Sequence, residues 1–309
     1  MSDLPARDPR VVVVVLSWNR REDTIACVRS VRGSRYRNFD LLLVDNASTD
    51  GSVVALRREF PDLPLLQTGS NLGYAGGNNA GMSWALANGA NYVLLLNDDA
   101  LVSASCLEEL VTFCECNAKV GAAGPLVCFA DTPDVVQTAG MRVQMAGVRV
   151  HQIGAGESAE RFHEPRFGVD CVNGVALFVR CLALEQVGPL DEDYFLYNEE
   201  VDWCLRARRA GWELAIVPAA RVLHKISARD RDLDSNVLFH QTRGRFVFLR
   251  KHGAWQHFIP LFPIVVKSTL LSMLGAGSPR RAMRLLGAAF RAVTSGLGAK
   301  LRPRPTWKG

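Results

Sequence analysis

Tyr92-Val-Leu-Leu-Leu-Asn-Asp-Asp-Ala100 decides how the rest of the chain is read. Its apolar run has no alternation, the mark of a strand buried on both faces in a parallel sheet of an α/β domain. The run stops at Asn97, Asp98 and Asp99, and the carboxyl ends of such strands are where open α/β sheets bind ligands. Two adjacent acids there can hold a hard divalent cation, whose usual companion is a substrate diphosphate. The competing use of such a pair is to cap the next helix. That helix has its own start signal in Ser105-x-x-Glu108, a capping box, which leaves the acids free for other work.

On the amino-terminal side the same texture repeats. Val11–Leu16 is a β-branched strand between Pro9 and Ser17-Trp18-Asn19, followed by a helix from about Asp23 that stops at Gly33. Leu41–Val44 is a second strand that ends in a carboxylate, Asp45, with Asp50 the expected N-cap of a helix carrying Val53, Leu56 and Phe60. After a short strand at Leu65–Gln67 comes Asn71-Leu-Gly-Tyr-Ala-Gly-Gly-Asn-Asn-Ala-Gly81. It reads as a loop whose backbone can approach a ligand, with free amides where the helix of Met82, Ala85 and Leu86 begins. Strand–helix alternation of this kind predicts a doubly wound, mostly parallel sheet. No G-x-G-x-x-G follows the first strand, which argues against a dinucleotide-binding Rossmann domain.

On the carboxyl-terminal side patterning weakens from Val120 and returns at Cys171–Arg180, a strand in which Asn173-Gly174 can admit a substrate closely. In Leu190–Trp212 the second half is a helix, with acids in its first turn, arginines in its last and Gly211 as the stop. Asp202 and Arg206 form an i, i+4 pair, so a salt bridge competes with any functional use of Asp202. Glu200 lies about 200° around the helix from it. Glu199 and Glu200, at an exposed helix tip, are better placed to meet substrate. A strand at Glu213–Val217 leads on to His224. The expected division is 1–125, the first half of one α/β domain; 126–228, the second half of the same domain; and 229–309, a basic helical extension.

The net charge of +5 hides an asymmetry: from Arg221 onward 17 Lys/Arg face three Asp, whereas residues 1–220 hold 19 basic against 28 acidic residues. An acidic body with a basic tail suits a metal-binding core and an appendage that faces an anionic surface. Phe258–Leu274 is apolar but broken by Pro260, Pro263 and Lys267, short of the ~20 clean residues of a spanning helix. Beyond it Met283, Leu286, Phe290 and Val293 share a helical face while Arg280, Arg284 and Arg291 lie off it, as in a helix lying in a membrane surface; packing on the body is the alternative. Aromatic residues do not interleave these charges, so no nucleic acid is expected as a partner. The polar first ten residues, and an apolar run too short for a signal core, predict a cytoplasmic protein on the inner face of the membrane. Eight cysteines without C-x-x-C spacing give zinc no support and read as reduced core residues.

Taken in order, Val-Val-Leu-Ser-Trp-Asn19, Leu-Leu-Val-Asp45-Asn-Ala-Ser-Thr-Asp-Gly-Ser52, Asn71–Gly81, Leu-Leu-Leu-Asn97-Asp-Asp-Ala100 and Tyr197-Asn-Glu-Glu-Val-Asp-Trp-Cys-Leu-Arg206 resemble the family 2 inverting glycosyltransferases. The likeness is to the bacterial rhamnosyltransferase-like branch, over roughly residues 10–255. It implies a GT-A fold and metal-dependent transfer of a sugar from a nucleotide-diphospho donor to an acceptor hydroxyl. By this resemblance Ser17, Trp18, Asn19 and Asp45 bind the nucleobase side, and Asn71, Gly73, Gly76 and Asn78 line the nucleotide-sugar. The D-x-D position falls on Asn97-Asp98-Asp99, where Asn97 replaces the first acid and leaves Asp99 as the main ligand of Mg²⁺ or Mn²⁺, with Asp98 beside it. His224 matches a position that completes the metal or diphosphate site. Glu199-Glu200 matches the general-base motif, with Glu200 as base in place of the usual Asp. Asn173 and Gly174 are assigned to the acceptor. The branch favours dTDP-rhamnose as donor and a lipid-linked or cell-surface glycan as acceptor, in cell-wall or polysaccharide assembly. UDP-hexose or UDP-galactofuranose donors, or a non-catalytic nucleotide-sugar-binding protein, are the alternatives; a nucleotidyltransferase would need a glycine-rich basic loop after the first strand.

Overall fold

In the computed structural model, residues 8–225, 235–274, 278–303 and 306–307 are described; the expected 228/229 boundary lies outside them. Four parallel strands form one half of the sheet, in the order β3 (Leu65–Gln67), β2 (Phe39–Asp45), β1 (Val11–Ser17), β4 (Tyr92–Asn97). The second half continues through β11 (Ala176–Arg180), antiparallel to β4, then β6 (Val120–Phe129), β12 (Glu213–His224) and β10 (Arg166–Phe167). Short β5 (Ala100–Val102) pairs with β12 and β7 (Val136–Thr138) with β6, while β8 (Met141–Gln144) and β9 (Arg149–Gln152) form a separate hairpin. This is a doubly wound, mostly parallel sheet of the kind expected from the strand–helix alternation.

Period-two alternation within β1 assigns the two faces. Val11, Val13 and Val15 face a core shared with α1 (Arg21–Arg32), α2 (Ser52–Glu59) and α4 (Cys106–Cys116). Val12 and Val14 face one shared with α3 (Gly73–Ala87), α5 (Cys181–Val187), α6 (Glu199–Arg209) and α7 (Ser235–His252). Helices on both faces explain why the strands read as unbroken apolar runs. The chain ends in a one-turn 3₁₀ segment, Trp255–Phe258, then α8 (Leu261–Leu274) and α9 (Pro279–Gly298).

Several local expectations give way. The glycine-rich stretch is not a loop: it is the first half of α3. Its glycines permit a close helix–strand approach, since a Cβ on Gly81 would lie 2.3 Å from Val14 and one on Gly77 2.4 Å from Leu16. Gly51, in left-handed conformation, takes the N-cap of α2, and Asp50 accepts from Ser52 N instead. Ser105 makes no side-chain cap, so the capping box does not form; β5 intervenes and keeps Asp98-Asp99 away from α4 all the same. The strand expected over 171–180 begins only at Ala176, and the one expected over 213–217 runs on to His224.

The tail is neither simply packed nor simply exposed. On α9, Leu285, Ala288, Ala289 and Ala292 are buried and Gly296 packs on Phe246 of α7, while Met283, Leu286, Phe290 and Leu297 are exposed; Val293 sits half-buried, off that outer face. Ile259, Phe262, Val266, Leu270 and Leu274 make a second exposed apolar stripe along α8 at helical spacing. With the 3₁₀ turn, Trp255–Leu274 reaches 20 residues, long and apolar enough to cross a membrane by length and composition alone, and only 22% of it is buried. The helix α8 itself has 14 residues, about 21 Å, below the ~30 Å of a hydrocarbon core.

Candidate active site

Strand register sets the first part of the site. Ser17 lies opposite Asp45 on β2, and its neighbour Leu16 opposite Asn97 on β4, so three motif ends stand in a row at the carboxyl edge of the sheet. Asn19, in left-handed conformation, ties two of them together: its N–H donates to Ser48 Oγ (2.9 Å) and its Oδ1 accepts from Thr49 N (2.7 Å). Asp45 is fully buried and accepts from Ser48 N, at 3.2 Å to Oδ2. Trp18 is 47% exposed, a free aromatic face at the mouth.

Asn46, which the sequence reading missed, joins this edge to α3. Its Nδ2 donates to Asn71 Oδ1 and Gly73 O (both 3.0 Å), and its Oδ1 accepts from Leu72 N (2.9 Å). The amides at the start of α3 are not free: Tyr74 N (2.7 Å) and Ala75 N (3.4 Å) both donate to Phe195 O. Gly73 is required there, because at φ +71° a Cβ would lie 2.2 Å from that carbonyl. Gly76 faces Leu72 of its own helix. Asn78 is buried, donates to Tyr74 O (3.1 Å) and has an unpartnered Oδ1.

Asp98 and Asp99 are both buried in the turn after β4. Because β5 pairs antiparallel with β12, Ala100 lies opposite His224, and the imidazole Nε2 comes to 3.1 Å from Asp99 Oδ1. Arg20, also missed in the sequence reading although it follows Ser17-Trp18-Asn19 directly, pairs with Asp99 Oδ2. Burial alone would raise the pKa of Asp99, but His224 and Arg20 outweigh it and hold the carboxyl below its usual range. Asp98 goes the other way: burial, then the charge on Asp99, pushes it up to about 7. His224 Nδ1 lies 2.9 Å from Gln137 Oε1, so the ring is held between Gln137 on one side and Asp99 on the other.

Among the described residues no three His, Cys, Asp or Glu side chains gather into a metal site. Asp99 and His224 offer two donors oriented by Arg20 and Gln137, a set that fits a divalent ion completed by diphosphate oxygens and water.

The second acidic pair lies at the start of α6 and is not exposed as expected. Glu199 is 3% exposed, and one carboxylate oxygen of each of Glu199 and Glu200 is buried without a partner. Burial raises both pKa values, and in Glu199 the charge of Glu200 raises it further. The three residues Phe195, Tyr197 and Asn198 before them hold positive φ (61°, 68° and 74°), a strained approach of the kind kept where function needs it. Tyr74 covers the pair: its hydroxyl donates to Gly174 O (2.6 Å), and a Cβ on Gly174 would sit 3.1 Å from that hydroxyl and 3.7 Å from Glu200 Cγ. Gly174 lies beside Glu200, while Asn173 is spent locally, with Oδ1 accepting from Val175 N and Nδ2 near Met141 Sδ. Asp202 belongs to the scaffold. It pairs with Arg206 (2.7 Å) and His252 (2.5 Å), which together outweigh the burial that would raise its pKa and hold it low.

The extension reaches this segment directly. On α7, His240 stacks on Phe195 with ring centroids 4.8 Å apart, Gly244 abuts Asn198, Arg243 donates to Asp193 O, and Lys251 pairs with Asp191 and Asp193. Part of the basic tail is therefore neutralised by the acidic body.

The geometry has two acid pairs, one beside a histidine and one beside the gap left by Gly174, at the carboxyl-terminal edge of the sheet. Residues 12–165 match the model of glycosyl transferase family 2, and residues 92–243 match glycosyl transferase family group 2. The chain is 31% identical over 242 residues to N-acetylglucosaminyl-diphospho-decaprenol L-rhamnosyltransferase of Mycobacterium tuberculosis, covering 71% of this chain and 77% of that one. The chain belongs to glycosyltransferase family 2. It is also 31% identical over 220 residues to galactofuranosyltransferase GlfT1 of Mycobacterium tuberculosis, covering 69% of each. A mannosyltransferase of Pyrobaculum calidifontis, solved with GDP-Man and Mn²⁺, shares the fold of this family 2 chain, with TM-score 0.60, 18% identity and coverage of 96% and 89%. As a family 2 member the protein is a nucleotide-sugar glycosyltransferase.

Proposed function

We propose that the protein inverts the anomeric centre of L-rhamnose as it moves the sugar from dTDP-rhamnose to a hydroxyl of a lipid-linked glycan, in assembly of a cell-wall or surface polysaccharide. The observation that carries this reading is the buried, unpartnered carboxylate of Glu200 beside the Gly174 gap. A raised pKa makes it a stronger base than an ordinary carboxylate, suited to taking the proton of an attacking hydroxyl. Asp45, Asn19 and Trp18 would receive the nucleobase side; Asn97 and Asp98 would flank the ribose and diphosphate. Asp99 and His224 would hold Mg²⁺ or Mn²⁺, which when bound offsets negative charge on the leaving diphosphate. The buried surroundings of Glu199 and Glu200 exclude water, which would otherwise compete with the acceptor as nucleophile. Similarity to the galactofuranosyltransferase supports one second reading, a UDP-galactofuranose donor with the same residues in the same roles.

The exposed apolar stripes of α8 and α9, with Lys267, Arg280, Arg284 and Arg291 on the same helices, support a peripheral seat on the inner face of an anionic membrane. Thermal-shift measurements with dTDP-rhamnose, UDP-galactofuranose and NAD, each with and without Mn²⁺, test the assignment. Stabilisation by dTDP-rhamnose that deepens with Mn²⁺ is expected; stabilisation by NAD alone would overturn it.

A further inference from the structure

Glu200 stands against two pieces of chain that are neither helix nor strand: the turn through Phe195 and Asn198 that leads into α6, and the turn at Gly174. Proton transfer needs the base held within about 0.5 Å of its productive place, and turns of this kind do not supply that by themselves. Phe195, Tyr197 and Asn198 are moreover at positive φ, a strain that persists only where surrounding structure opposes its release. Tyr74 holds both pieces. Its N–H donates to Phe195 O (2.7 Å), and at the far end of the same residue its hydroxyl donates to Gly174 O (2.6 Å). The place a Cβ would take on Gly174 is 3.1 Å from that hydroxyl and 3.7 Å from Glu200 Cγ, so the bond closes directly beside the base.

Asn46, the residue after Asp45, fixes the start of α3: its Oδ1 accepts from Leu72 N (2.9 Å) and its Nδ2 donates to Gly73 O (3.0 Å). One turn further on, Asn78 Nδ2 donates to Tyr74 O (3.1 Å). The ring therefore takes its place from the edge of the parallel strands and imposes it on the turns beside Glu200. The direction of the hydroxyl matters as well. A hydrogen bond to the ionised form of Glu200 would stabilise that form and make it a weaker base. The hydrogen goes instead to a carbonyl, and among the described residues one oxygen of each of Glu199 and Glu200 keeps no partner. Burial, then the charges of Glu199 and Glu200, raise the pKa of Tyr74, so the hydroxyl stays a donor at neutral pH. We propose that Tyr74 is the positioning residue of the general base, bracing Phe195 and Gly174 at once so that Glu200 stays aligned with the acceptor hydroxyl. The inference rests on the reading of Glu200 as base and adds to it the residue that fixes its place.

The test measures transfer of radiolabelled sugar by the full chain, with Mn²⁺, into a bacterial membrane lipid extract dispersed in detergent, from whichever of dTDP-rhamnose and UDP-galactofuranose is the active donor. Tyr74→Phe keeps the ring and removes one hydroxyl. It should lower kcat about 10–10²-fold, the range of a small misplacement of a reacting group, with the donor KM unchanged. In a Glu200→Gln background the same substitution should cause no further loss, because a residue that acts only through the base has nothing left to position. Gly174→Ala sets a methyl group between the hydroxyl and Glu200 while leaving Tyr74 itself intact; it should show the same fall in kcat and the same absence of further loss beside Glu200→Gln, which keeps the test open if Tyr74→Phe fails to fold. Wild-type kcat in Tyr74→Phe overturns the inference. So does a loss that multiplies with that of Glu200→Gln, the mark of a merely structural role, or a raised donor KM at unchanged kcat, which puts Tyr74 in the donor site. In each of these outcomes Glu200→Gln alone remains impaired and the parent reading stands. Near-normal transfer by Glu200→Gln, or no transfer by the wild type from either donor, removes the parent reading and the inference with it.

Discussion

The two pairs of adjacent acids, Asp98-Asp99 and Glu199-Glu200, are alike in sequence, yet one of the four, Asp99, is set electrostatically against the other three. Both are buried. Asp99 has Arg20 and His224 beside its oxygens and its pKa is held low against its burial, whereas Glu199 and Glu200 have no ion pair among the described residues and rise in pKa. Surrounding a carboxylate with fixed donors and cations prepares it to hold positive charge; isolating it prepares it to accept a proton. Neither property is visible in the side chain itself.

The sharpest way to break this contrast is Glu200→Gln, which should lower transfer by about 10³-fold or more, the range of general-base catalysis, with nucleotide binding retained in a thermal-shift assay. Near-normal turnover would remove Glu200 from the role. Asp99→Asn should cost about 10²–10³-fold and, unlike the first variant, abolish the extra stabilisation that Mn²⁺ gives with the nucleotide-sugar. A third acid sharpens the comparison from outside either pair: Asp202→Asn leaves Arg206 and His252 buried without their anion, at about 3–5 kcal/mol of stability by urea unfolding. If that loss stays below 1 kcal/mol, the network is not a scaffold.

The smallest effect is a pH effect. Glu199 has a folded-state pKa raised by burial, so its protonated form favours folding; that contribution is present below the ordinary carboxylate pKa and is lost as pH rises through the raised value. Glu199→Gln should therefore be more stable than wild type at pH 8, by about 1.4 kcal/mol for each unit of elevation, and close to it at pH 4. Denaturant midpoints at the two pH values check it. By the same sign, transfer should fall as the pH drops through the raised pKa of Glu200, above the usual carboxylate range.

Local pattern made the parallel half of the sheet legible, because Val11–Val15, Leu41–Val44 and Tyr92–Leu96 are continuous apolar runs whose ends coincide with polar motifs. Partners distant in the chain were not legible. His224 meets Asp99 only through the pairing of β5 with β12, and Gln137 orients it from a strand of three residues with no periodicity to read. The Asn71–Gly81 stretch misled because glycines that ordinarily signal a loop here let a helix lie against Val14 and Leu16. The exposure expected for Glu199 and Glu200 failed for a related reason: Tyr74, more than a hundred residues earlier, and α7 close over them.

The grip of α7 on residues 191–202 also bears on how the protein comes off the ribosome. Strands β1 to β4 and the nucleotide edge are synthesised first, yet the strained turn that carries Glu200 is stacked on by His240 and pinned by Lys251 and His252 from near the end of the chain. A chain ending before Ser235 should therefore bind nucleotide without transferring sugar, because the helix that braces the turn before Glu200 is missing.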